Sequence, residues 1–181
     1  MIEIIELKSN MIDDVKEFLF KQIKKEFGYG YIPEYHKDIV NLEKYYIKPQ
    51  RNNFYIALDS NKNKIIGTIG LRSYDKNFEE FKGTYSNLNT SSIWRLFIDN
   101  EYRRCGIATL LFEISEKFII QNNFTKIYLH THKTLPGALN FWKKMGFNIT
   151  WDTNNELETV HMDKKINNIS QLSTKQAIPS K

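Results

Sequence analysis

The most constraining part of the chain is residues 92–121. Ser92-Ile93-Trp94-Arg95-Leu96-Phe97-Ile98 reads as a strand, and residues 99–105 read as a polar, basic turn. From Gly106 onward, Ile107, Leu110, Leu111, Ile114, Phe118 and Ile119 recur at helical spacing. A helix start leaves backbone N–H groups unpaired and carries the positive end of the helix dipole, which suits an anion. Gly106 lets a phosphate come close to the main chain, Ala108 keeps the next position small, and Arg103 and Arg104 add charge beside the donors. No Gly-Lys-Ser/Thr accompanies the glycine, so the physics is that of pyrophosphate binding without a P-loop lysine.

The rest of the chain supplies a frame for this unit. Residues 2–7 alternate as a short strand, and Ser9 or Asn10 is placed to cap a helix bearing Ile12, Val15, Phe18, Leu19, Ile23 and Phe27, stopped by Gly28. After the turn-rich connector 28–33, Ile39, Leu42, Tyr45 and Tyr46 predict a second helix ending before Pro49. Residues 54–58 and 64–72 form a hairpin around a polar turn, and 75–90 reads as a long loop in which Glu79 and Glu80 are solvated. A strand over 126–131, a helix over 135–145 and a closing strand pair, 147–151 and 157–162, complete the order β-α-α-β-β-β-α-β-α-β-β. That order predicts an α/β fold with a mixed sheet and helices on both faces. Residues 1–165 read as one domain and 166–181, rich in Asn, Ser, Gln, Thr and Lys, as a mobile tail.

Length and composition narrow the function. A chain of 181 residues buries enough surface for a core without disulfides or a structural metal. Its apolar runs fall far short of the roughly 18 residues of a membrane span. Acidic residues in the first six positions do not suit a secretory signal, and the lone Cys105 suits a reducing compartment, so a cytoplasmic protein is expected. The net charge of +5 is spread out, without clustered arginines and interleaved aromatics, which disfavours nucleic acid and is compatible with a phosphorylated cosubstrate.

Arg103-Arg104-Cys105-Gly106-Ile107-Ala108 resembles the acyl-CoA loop, Arg/Gln-x-x-Gly-x-Gly/Ala, of the GNAT-type N-acyltransferase superfamily. The apolar Leu96-Phe97-Ile98 ahead of the loop and Ala138-Leu139-Asn140-Phe141-Trp142-Lys143-Lys144-Met145-Gly146-Phe147 behind it match the same family. The resemblance covers about residues 2–164. It implies a mostly antiparallel sheet with one splayed strand pair and acetyl-CoA as cosubstrate, without a metal. It also implies a primary amine acceptor and direct attack on the thioester, and a homodimer is compatible with it. Carried onto this chain, Leu96, Phe97 and Ile98 line the pantetheine arm. Backbone amides of Arg103, Arg104, Cys105, Gly106, Ile107, Ala108 and Thr109 hold the pyrophosphate, and Trp142 borders the same groove.

Two positions depart from the family pattern. Trp142 stands where a tyrosine often protonates the leaving thiolate, and Leu135 stands where an asparagine often contacts pantetheine. An indole N–H is no proton source, which leaves Tyr102, Tyr128 and Cys105 as substitutes for an acid. No acid lies within 92–98, so His130 and His132, two residues apart on one face of the next strand, are the candidate bases. Cys105 near a helix start also has the setting of a nucleophile, although its expected role needs only its backbone. Alternation puts Arg95 on the face of Ile93 and Phe97, where it meets an anionic substrate or an internal acid. Tyr29, Tyr31, Tyr35, Tyr45 and Tyr46 are expected mainly to pack, with some bordering the acceptor. A non-catalytic acyl-CoA-binding or regulatory module is the alternative function, favoured by the missing tyrosine and asparagine.

Overall fold

Strands β2 (Asn53–Asp59) and β3 (Lys64–Ser73) are buried on both faces, so apolar layers must lie above and below them. In the computed structural model, which describes residues 1–166, they sit inside a seven-stranded sheet of order β1-β2-β3-β4-β5-β7-β6. The outer members are β1 (Ile2–Glu6) and β6 (Asn148–Asp152), with β4 (Thr90–Ile98), β5 (Lys126–His132) and β7 (Thr159–Lys165) between. All pairings are antiparallel except β4 with β5. The fold is the expected α/β arrangement of a mixed sheet with helices on both faces.

Helix α1 (Ile12–Phe27) buries Val15, Phe18, Leu19 and Ile23 on one face of the sheet and ends at left-handed Gly28. A 3-10 turn over Ser9–Met11 leads into it, and neither Ser9 nor Asn10 caps it with a side chain. The expected second helix is broken into α2 (Lys37–Val40) and a π-helical turn over Glu43–Ile47. The π turn brings Tyr46 against the sheet, where a Cβ on Gly70 would lie 2.8 Å from its ring. Glycine is therefore what admits the tyrosine. The opposite face is covered by α3 (Ile107–Gln121) and α4 (Ala138–Lys144), whose Leu111, Phe112, Ile119 and Trp142 pack with Ile127 and Leu129 of β5.

The predicted loop at 75–90 carries a 3-10 turn over Glu79–Phe81. Its Phe81 and Tyr85 pack with Tyr74, just before the loop, and with Tyr128 as a separate aromatic cluster. Ile166 closes the described chain by donating its N–H to Thr125 O. The expected tail lies, from residue 167 on, outside the described residues.

Candidate active site

Strand β4 pairs with β5 only at Thr90, Ser91 and Ser92, opposite Lys126, Ile127 and Tyr128. Beyond these residues the two strands continue without a ladder, to Ile98 and His132 respectively. The sheet is parted where the expected splay lies. Two cavities of about 770 and 540 Å³ meet there, and Leu96, Phe97, Thr131, Leu135 and Trp142 border both.

The smaller cavity is built around the start of α3. Gly106 has φ +80°, and nothing lies within 4 Å of where its Cβ would be. The first main-chain bond into the helix is Leu110 N–H to Gly106 O, and no backbone N–H from Arg104 through Thr109 has an acceptor among the described residues. These six donors stand at the positive end of a 15-residue helix beside Ile98, Ala108, Gly137 and Phe141. The arrangement is an anion cradle with open space over its glycine, and it fits a diphosphate. Arg104 is exposed, whereas Arg103 pairs with Glu26 of α1 and so links the cradle to that helix. Cys105 is exposed, with its Sγ 3.6 Å from Arg103 O. Trp142 is 5% exposed and packs on Phe112 and Phe147, giving the junction of the cavities a rigid wall.

The larger cavity opens on the α1 side. A bulge in β4 shapes it: Thr68 faces Phe97 but Gly70 faces Trp94, so Arg95 and Leu96 together oppose Ile69. Arg95 takes a left-handed φ of +52°. The expected alternation fails at this point, because the extra residue puts Ile93, Leu96 and Ile98 in the α3 layer and Trp94 and Phe97 in the α1 layer. Ile93 and Phe97 therefore lie on opposite faces.

Arg95 has an internal acid as its partner. Its Nη2 donates to Asp38 Oδ1 at 2.5 Å and its Nε to Asp38 Oδ2 at 3.0 Å, while Tyr46 Oη donates to the same carboxylate at 2.6 Å. Burial raises the Asp38 carboxyl, but the Arg95 and Tyr46 hydrogen bonds and the Arg95 charge hold it below its ordinary value. Gly70, Tyr46, Asp38 and Arg95 form one brace from the sheet to the connector.

His130 and His132 both face this cavity, with ring centroids 6.3 Å apart. The register of β5 with β7 sets His161 opposite His130 at 5.8 Å. His132 Nδ1 lies 3.1 Å from Thr159 Oγ1, and its imidazole also contacts the Leu157 backbone. His161 Nδ1 lies 2.7 Å from Tyr128 Oη. His130 has no hydrogen-bond partner among the described residues, and its ring is open to the cavity. Enclosure, then the charges of Lys76, His161, His132 and Arg95, push His130 well below the usual imidazole value. Burial and Lys76 bring His161 to about 4.

Tyr102 and Tyr128 do not offer free hydroxyls. Tyr102 donates to Asp59 Oδ2 at 2.7 Å, and burial drives Tyr128 far above the ordinary phenol range in its contact with His161. Of the connector tyrosines, Tyr29 and Tyr35 border the cavity, Tyr46 is buried and Tyr31 is 52% exposed. Glu80 lies on the cavity rim rather than only in a solvated loop. Asp38, His161 and Lys76 are missing from the sequence reading. A β5–β7 register would have singled out His161, but no local pattern marks the other two.

A mixed sheet parted at the parallel β4–β5 pair, with a glycine-led helix at the opening, is the architecture of the GNAT-type acyltransferase class. The model of the Acetyltransferase (GNAT) family matches residues 16–147, and the chain belongs to that family. It is similar to human N-acetylaspartate synthetase, at 26% identity over 113 residues that make up 62% of this chain and 33% of that protein. Human N-acetyltransferase 8 is 25% identical over 131 residues, 68% of this chain and 54% of its own. The chain thus spans about a third to a half of these relatives. A GNAT-family acetyltransferase of Staphylococcus aureus has the same fold, with TM-score 0.75 and 23% identity over 92% of this chain and all of that one. PaiA N-acetyltransferase of Thermoplasma acidophilum, solved in complex with coenzyme A, has TM-score 0.70 and 21% identity, covering 92% and 99% of the two chains. Among the described residues no group of three or more His, Cys, Asp or Glu is placed to hold a metal, and no helix is long and apolar enough to cross a membrane.

Proposed function

We propose that the protein transfers an acetyl group from acetyl-CoA to a primary amine by direct attack. The carrying observation is the junction of the two cavities at the β4–β5 opening, one with six main-chain donors and the other with an imidazole, none of them partnered among the described residues. The amides of Arg104–Thr109 hold the diphosphate, and Arg103 keeps the loop on α1 through Glu26. The edge of Leu96, Phe97 and Ile98 that faces β5, where the β4–β5 ladder has ended, aligns the pantetheine arm and directs an N–H at the thioester carbonyl.

His130 takes the amine proton, directly or through one water, while the C–N bond forms and the C–S bond breaks. Its lowered proton affinity keeps it neutral and able to accept throughout the physiological range. His132, tied to Thr159 and the Leu157 backbone, positions the end of β5. The thiolate departs past Trp142 and takes its proton from water, since a thiol is acidic enough to leave without a dedicated acid. Cys105 supplies only its backbone.

Thiol release from acetyl-CoA, followed with a chromogenic disulfide across a panel of primary amines, tests this reading. The expected result is amine-dependent release that falls about 100-fold in His130→Gln with unchanged CoA affinity, and less in His132→Ala. Tight acetyl-CoA binding with no amine-dependent release across the panel contradicts it.

A further inference from the structure

Lys76 places a cation in the larger cavity that no acid among the described residues pairs with. Its Nζ lies 4.0 Å from the Trp94 ring centroid, and the guanidinium carbons of Arg72 and Arg95 lie 4.3 and 5.7 Å from the same ring. Arg72 is paired with Asp75, and Arg95 with Asp38. Lys76 has neither an ion pair nor a hydrogen bond among the described residues. Three cations around one indole thus share two carboxylates.

The remaining charged and titratable groups do not cancel the excess. Glu34 and Glu80 line the cavity but are exposed. His36, His130, His132 and His161 face it from the connector, β5 and β7, and all four are held below the usual imidazole value, with burial the largest cause. Burial, then Arg72 and Arg95, bring Lys76 itself down to about 7. An enclosed ammonium pressed by two guanidinium groups is unfavourable by itself and becomes favourable when a ligand brings the missing anion.

We propose that the acceptor is a carboxylate-bearing amine of amino-acid type, with its carboxylate bound by Lys76 against Trp94 and its amine directed toward the β4–β5 opening. This rests on the reading of the larger cavity as the acceptor site. It makes Lys76 a specificity-determining residue. Arg95 and Arg72 serve as positioning residues, already occupied by their own acids.

Binding tests it without requiring turnover. The full chain saturated with CoA is titrated calorimetrically near pH 7 with amino acids of each side-chain class and with their C-terminal amides. The expected result is at least one amino acid binding about tenfold or more tightly than its amide. Lys76→Met and Lys76→Gln lose that preference, and Lys76→Arg retains most of it. In the wild type, the anion draws a proton onto Lys76, so the measured heat varies with the ionisation enthalpy of the buffer. Unchanged CoA affinity certifies that each variant is folded.

Acids binding no better than their amides, or a preference that survives in both Lys76→Met and Lys76→Gln, overturns the proposal. Acid-selective binding without thiol release overturns acetyl transfer alone. Release with acids and amides alike overturns the specificity alone.

Discussion

The two cavities that meet at the parted strands are built from different materials. Around the coenzyme groove, the donors are main-chain groups from a single loop and helix start, with left-handed Gly106 at their centre. Around the acceptor cavity the chemistry lies in side chains drawn from Tyr35 to His161, held by a buried brace and a register between distant strands. Under the proposed function, this contrast lets one fold keep a common cosubstrate while changing its acceptor. The first region depends on a short local pattern, whereas the second can be rewritten one side chain at a time.

The sharpest way to break this contrast is to disturb each region and watch the other. Asp38→Asn leaves Arg95 buried without its counter-charge and is expected to cost about 3–5 kcal/mol in urea unfolding. Its CoA affinity, measured where the variant is still folded, should stay within about twofold. A loss of CoA binding comparable to that in a cradle variant would merge the two regions. Gly106→Glu is expected to weaken CoA binding by about 100-fold, about 2.7 kcal/mol, because a carboxylate occupies the diphosphate space. Its unfolding free energy should fall by only about 1–2 kcal/mol for a left-handed non-glycine residue.

Acid should distinguish the regions as well, since all four histidines line the larger cavity. Their folded proton affinities are lowered, so the native state binds fewer protons than the unfolded chain. The associated stability is complete above the ordinary histidine value near 6.5 and is lost as pH falls from there toward about 4, where His161 titrates. The melting temperature should drop by about 5 °C between pH 7 and pH 5, and His161→Phe should reduce the drop. A pH-independent melting temperature over that range would remove the histidines from the account.

At finer scale, Lys76→Met should move the His130 imidazole resonance to a higher titration midpoint, because a neighbouring positive charge is lost. The smallest effect is expected at Cys105→Ser, whose turnover should stay within about twofold because only the backbone acts there. A collapse of activity would make the thiol a participant.

The same contrast explains what the sequence revealed. The glycine-led loop, the strand before it and the element order were legible because each is a local pattern, whether periodicity, a turn residue or a helix start. The second helix was misread because Tyr46 reaches the sheet only through a π turn admitted by Gly70, a tertiary packing effect. Arg95 was grouped with both Ile93 and Phe97, which the structure puts on opposite faces, because strict alternation has no place for a bulge. His130 and His132 were visible as a pair, but which nitrogen is free depends on Thr159 and Leu157 across the sheet. Lys76 lay hidden in a polar loop, where nothing local distinguishes it from its solvated neighbours.

The central proposal is that main-chain donors at the mouth of α3 receive the coenzyme. Titrating the nitrogen-15-labelled chain with acetyl-CoA while following every amide resonance tests this directly. The predicted result is that Arg104 through Thr109 shift most and saturate together, with smaller changes along Leu96–Ile98. Saturable binding that leaves those six amides unmoved would contradict it.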